Sequence, residues 1–161
     1  MKNSIKPFLI LLTVILNFGV LRAQDDARFN VAGVSSDKEV KEFYIKFQKA
    51  VAKNDKETVA STMIYPLRVN FPTDRSNKGY TFINNKKSFL NAYDKIFDKQ
   101  LKKFIASIDV ENEESLWARY DGISVGRGVI WIGVYCNKRH CQDDKYHINI
   151  RTIHGNSNLM D

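Results

Sequence analysis

The chain is poor in the features that announce chemistry. Its 161 residues hold only two cysteines, Cys136 and Cys141, too few for a cysteine-dense scaffold or for a zinc site built from several thiolates. Residues 24–161 contain no Asn-x-Ser/Thr acceptor, which leaves glycosylation without support. Internal repeats, low-complexity tracts, nucleophile motifs and metal clusters of strong spacing are absent as well. The apolar run at residues 8–20 is thirteen residues long, and at 1.5 Å rise per residue it is too short to cross a bilayer core of ~30 Å.

That run has Lys2 and Lys6 before it and Leu21-Arg22-Ala23 after it, the three-part pattern of a secretory signal peptide. Removal is expected after Ala23, and no cysteine follows to carry a lipid anchor. Taking 23 residues from 161 leaves 138, enough for one domain with a single core. Loss of Lys2, Lys6 and Arg22 leaves 22 basic against 18 acidic residues, so the net charge falls from +7 to +4. So modest a surplus does not call for a nucleic-acid partner. The expected location is periplasmic or secreted, with no membrane insertion after cleavage.

The periodicities run helix, helix, hairpin, helix, strands. Residues 24–35 are aperiodic and read as a flexible lead-in to one domain at 36–161. Ser36-Asp37-Lys38-Glu39 has capping-box spacing, and Val40, Phe43, Tyr44, Phe47, Ala50 and Val51 then mark one face of a helix to about residue 53. Asn54-Asp55 offers a second cap before Val59, Ala60, Met63 and Ile64, a helix that Pro66 is expected to end. Residues 67–71 change to period two, with 80–83 as the hairpin partner. An uninterrupted stripe from Phe89 to Ile108 predicts one long helix from Asn85, and strands follow. The layout is α+β, a curved antiparallel sheet with helices on one face.

The stretch "GISVGRGVIWIGVYC", residues 122–136, tests for a phosphate loop. Such a loop needs its glycines directly before a helix, whose N-terminal amides hold the anion. Here Val129 to Tyr135 are β-branched or aromatic, so Gly122, Gly126 and Gly128 predict turns feeding a strand. That strand is apolar on both faces and is expected to be central, covered by helices on one side and by a second layer or a partner subunit on the other.

The stretches "FYIKFQKAVAKNDKETVASTMIYPLRVN", "INNKKSFLNAYDKIF" and "GISVGRGVIWI" resemble small exported bacterial domains of the nuclear transport factor 2-like, or cystatin-like, superfamily. The resemblance covers about residues 43–132. It implies a cone of curved sheet wrapped around a long helix, often with a cavity at the wide end, and it implies no particular activity.

Rings from Phe43, Tyr44, Phe47, Phe89, Tyr93, Phe97 and Phe104, with Phe71, Phe82, Trp117 and Trp131 from the sheet, are expected to fill the narrow end. Tyr65, Arg68, Trp117, Tyr120 and Tyr146 are the candidate ligand-binding residues at the wide end. Cys136 and Cys141 suit a disulfide across a hairpin end. The rival reading of "CNKRHCQDD" is a metal site that adds His140 and Asp143. His147 and His154, seven apart in a strand pattern, are expected on opposite faces. Lys95, Lys99, Lys102 and Lys103 read as a solvated helix face with Asp98 and Lys102 as an i,i+4 pair. The favoured function is a non-catalytic binding module for a small molecule or a protein, without cofactor or metal, and a homodimer through the sheet is allowed. Two rivals stand beside it. One is an acid–base enzyme of ketosteroid isomerase type using Asp94 or Asp121 beside a tyrosine. The other is an inhibitor or immunity protein directed at a wall-degrading or toxin enzyme.

Overall fold

In the computed structural model, which describes residues 28–70, 79–135 and 146–155, the elements follow in the order that the periodicities predict. The expected signal peptide, Phe71 and the Cys136–Cys141 pair with His140 and Asp143 lie outside the described residues. A 3-10 turn at Asn30–Ala32 leads into α1 (Asp37–Ala52) and α2 (Lys56–Ser61). The hairpin β1 (Met63–Asn70) and β2 (Tyr80–Ile83) follows, then α3 (Lys86–Ile96) and α4 (Lys99–Ser107). The chain continues with β3 (Leu116–Arg119), β4 (Gly122–Val125), β5 (Ile130–Tyr135) and β6 (His147–His154).

The described strands form one six-stranded sheet in the order β2-β1-β6-β5-β4-β3. It is mixed, not purely antiparallel as expected, because β6 inserts between β5 and β1 and runs parallel to β1. Alternation in a sequence tells which side chains share a face but says nothing of strand direction. One face carries Leu67, Val69, Ile123, Val125, Ile130, Ile132, Ile150 and Ile153, all buried in a single core with the helix stripes. At ~1.5–3 kcal/mol for each large apolar side chain buried, this face and the rings above it dominate the stability.

Three boundaries differ from expectation, each for a local reason. The long helix is broken after Ile96: Phe97 leaves the helical region (φ −97°, ψ 68°), and the Asp98 carboxylate accepts the Leu101 N–H at 2.8 Å to cap α4. The apolar stripe continues across the break, which is why periodicity alone reads one helix. Asp98 therefore serves as a cap, and Lys102 Nζ reaches Asn54 Oδ1 at 3.0 Å. The second helix stops at Ser61, and Met63 and Ile64 belong to β1, since the Ile150 N–H donates to the Thr62 carbonyl at 2.8 Å and Met63 registers with Ile150. Pro66, which follows a cis peptide bond, sits inside the strand where its register to β6 shifts.

The domain also begins before Ser36. Phe29 and Val34 are fully buried, and the Arg28 guanidinium donates to the carbonyls of Asn112 (3.3 Å), Glu113 (2.9 Å) and Leu116, tying the supposed lead-in to the start of β3. Two isolated apolar residues produce no period, so the sequence carried no signal for this. Ser36 does sit at the N-cap of α1, but its side chain makes no capping bond there. Glu39 turns instead to Tyr146, whose hydroxyl donates to Oε2 at 2.5 Å.

The glycine stretch forms turns, as predicted. Gly126, Arg127 and Gly128 all have positive φ in the tight connection between β4 and β5. Gly126 is the crowded one, because a Cβ there would come within 2.1 Å of the Phe104 ring on α4.

Candidate functional site

Two surfaces are available for function, the interior beneath the helices and the face of the sheet turned away from them. Beneath the helices the described rings pack on one another. Tyr44, Phe47, Phe89, Tyr93 and Phe97 are all buried, with Tyr93 stacked on Phe97 at 4.8 Å and Phe89 edge-on to Tyr93 at 6.0 Å. The hydroxyls of Tyr44 and Tyr93 are buried without a hydrogen-bond partner among the described residues. Burial pushes the Tyr44 phenol well above its ordinary value, and burial with nearby Asp94 and Asp55 pushes Tyr93 up to about 12. Such phenols stay protonated at neutral pH.

Neither carboxylate of the acid–base reading hydrogen-bonds these phenols among the described residues. Asp94 is largely exposed and held by Lys56 Nζ at 2.7 Å, which keeps its carboxyl below the usual range. Asp121 pairs with Arg151 at 3.3 Å and Arg119 at 3.5 Å.

The other face is open and chemically marked. Strand register places one residue from every strand in a single row: Phe82 opposite Arg68, Arg68 opposite Thr152, Thr152 opposite Trp131, Trp131 opposite Ser124, and Ser124 opposite Trp117. At ~4.8 Å per strand the row crosses roughly 24 Å. Phe82 is 51% exposed and Trp117 64%. The expected second cover over β5 is absent among the described residues, and half-buried Trp131 has two guanidiniums over its ring, Arg151 at 5.5 Å and Arg119 at 5.7 Å from its centre.

Three clefts open on this face. The first, about 540 Å³, lies across β1, β6 and β5, with Arg68, Asn70, Arg151, Thr152 and His154 supplying polar groups between Phe82 and Trp131. The second (about 440 Å³) and third (about 260 Å³) share Trp117, Ser124 and Arg127.

In the first cleft the Arg68 Nε–H donates to Asn70 Oδ1 at 3.0 Å, and its guanidinium lies 4.4 Å above the Tyr80 ring. With its oxygen toward Arg68, the Asn70 amide turns Nδ2 toward His154 Nε2 at 2.9 Å. The imidazole thus accepts, the arrangement of a neutral ring. Burial, then the Arg68 charge, hold its pKa below the ordinary 6.5.

The five candidate residues are dispersed. Arg68 and Trp117 share the outward row. Tyr65 points inward, edge-on to Phe89, with its hydroxyl donating to the Ala60 carbonyl at 3.2 Å and its pKa raised to about 12 by burial, then by Glu57. Tyr146 pins the start of β6 to α1 through Glu39. Tyr120 lies in the β3–β4 turn, 83% exposed.

Phe82, Trp117 and Trp131 face away from the core they were expected to fill. Asn70, Arg151, Thr152 and His154 were not foreseen in the site. The period-two pattern through Arg68 and Asn70 carried their common face, but β6 hid its own. Trp131 registers with Thr152 and Ile132 with Ile150, so Arg151 is an extra residue in a bulge. The bulge reverses the alternation and places His147 and His154 on the same face, not on opposite ones. About seven residues of strand, roughly 20 Å, still keep them apart.

Set against known proteins, the chain matches no protein family, no curated protein and no solved structure.

Proposed function

We propose that the chain is an exported, non-catalytic binding module of the nuclear transport factor 2-like type, and that its ligand seats on the outward face of the sheet, not inside the cone. The helices gathered on one face of a six-stranded sheet support the fold reading. The observation that carries the functional reading is the row from Phe82 to Trp117, where exposed rings lie beside the guanidiniums of Arg68, Arg119, Arg127 and Arg151. Aromatic rings left in water cost solvation free energy that a bound partner recovers, and fixed guanidiniums supply direction. The rings packed on one another beneath the helices, and phenols that hydrogen-bond to no described carboxylate, count against acid–base catalysis there.

A protein partner is the second reading. Trp117 and Tyr120 are the most exposed large side chains at the β3–β4 end, and Trp, Tyr and Arg are the residue types that concentrate binding energy at protein interfaces.

A screen of small molecules followed through backbone amide shifts tests the leading reading. Hits are expected to cluster on Arg68, Ser124, Trp131 and Thr152. Hits confined to Tyr44, Tyr93 and their inward neighbours would return the site to the interior and overturn it.

A further inference from the structure

Resting on that reading, we infer that the cleft across β1, β6 and β5 selects a small organic carboxylate with a flat apolar body. Arg68 and Arg151 both line the cleft, and no carboxylate is among its described lining residues. Asp121 stands outside the lining and is shared between Arg151 and Arg119, so one negative charge faces two positive ones. Among the described residues no carboxylate lies within ion-pair distance of Arg68. The described lining therefore carries a surplus of positive charge that a bound anion offsets.

The Arg68 side chain is held at two points, Nε on Asn70 and the guanidinium face on Tyr80, so its terminal amino groups form a pre-positioned donor edge. A guanidinium edge matches the two oxygens of a carboxylate, and a donor already fixed loses little further entropy on binding. Arg151 is likewise held, by Asp121 and over Trp131. Asn70 has its amide oxygen turned to Arg68 and its nitrogen to His154, so the neutral imidazole adds no third charge.

Thr152 and the Arg68 stem form the floor, since they are opposed in register, and Phe82 and Trp131 stand one position further out on either side. Three strand spacings separate the two rings' backbones, roughly 14 Å, room for a fused bicyclic ring lying between them. A cleft of about 540 Å³ is of small-ligand size. Inorganic phosphate satisfies the charge but leaves both aromatic walls in water. A second copy of this chain would bring Arg68, Arg119, Arg127 and Arg151 toward their own counterparts, which disfavours self-association on this face.

The test titrates 1-naphthoate, its neutral counterpart 1-naphthamide, and inorganic phosphate into the full chain. The readout is the indole N–H resonances of the two tryptophans, assigned with Trp117→Phe. The expected result is a saturable shift of Trp131 with 1-naphthoate, at least roughly tenfold weaker binding of the amide, and no displacement by equimolar phosphate. Arg68→Gln and Arg151→Gln should each weaken 1-naphthoate roughly tenfold, and Lys99→Gln on α4 should not. The comparison of acid with amide uses the unmodified chain and needs no variant to fold. Equal affinity for acid and amide at Trp131 overturns the carboxylate assignment while the outward face stands as the binding surface. If neither compound moves Trp131 or its outward neighbours, the assignment and the binding-face reading both fall.

Discussion

Replacing Gly126 with alanine separates a structural turn from a functional loop, and its cost can be worked out from two terms. At φ +54° an alanine sits in the left-handed region, which costs ~1–2 kcal/mol. Its Cβ would also stand 2.1 Å from Phe104 Cζ, so the buried ring on α4 must shift, an overpacking cost of ~1–3 kcal/mol. The narrowed unfolded ensemble returns ~0.4–1 kcal/mol, leaving a net loss centred near ~3 kcal/mol. Gly33→Ala is the matched control, because Gly33 also has positive φ (+85°) but nothing within 4 Å of the added carbon. That variant should lose only ~1 kcal/mol. Urea unfolding of both proteins gives the comparison, and the Gly126→Ala penalty should shrink by ~1–2 kcal/mol in a Phe104→Leu background, since the two residues touch. Equal losses at Gly33 and Gly126, or strict additivity with Phe104→Leu, would refute the packing argument.

Tyr93→Phe removes a buried hydroxyl that has no partner among the described residues, and should stabilise the fold by ~1 kcal/mol in thermal or urea unfolding; a loss of that size means the hydroxyl is held. Asp98→Ala should cost ~1 kcal/mol by removing the α4 cap, whereas an unbroken helix through residue 98 would leave stability unchanged. His154 is held neutral by burial and by Arg68, so its folded pKa lies below its unfolded value. Its contribution is fully present above about pH 6.5 and declines as pH falls through the folded pKa, and stability measured against pH should show a shallower decline in His154→Gln.

Helix faces were legible because their period is carried by many residues at once. The α1 stripe from Val40 to Val51 is buried at all but one of the positions read from the sequence, Phe43 being half-buried. The β1–β2 hairpin and the strands β3 and β5 were legible for the same reason, and the turn at 126–128 because glycine before a β-branched run has few uses, whereas Gly122–Val125, read as part of the turns, is strand β4. What was lost depends on single residues or on distant partners. Asp98 stops one helix and caps another without disturbing the apolar stripe. Met63 and Ile64 suit a helix locally and become strand because β6 arrives beside them from 87 positions along the chain, as Ile150 against Met63. The candidate site suffered most, since one bulge residue, Arg151, exchanges the faces of everything after it in β6. Arg68 and Trp117 were found by residue type; their common row, which makes them a surface, exists only once six strands are in register.

If the outward face is open and positively charged around Trp131, fluorescence quenching reads both properties together. In a Trp117→Phe variant Trp131 is the chain's single indole. Acrylamide should quench it readily, and at low ionic strength iodide should quench it several-fold more strongly than caesium, because Arg68, Arg119 and Arg151 draw the anion toward the ring. Poor quenching by acrylamide, or caesium equal to iodide, would mean that the face is covered or carries no positive field, and would contradict the account.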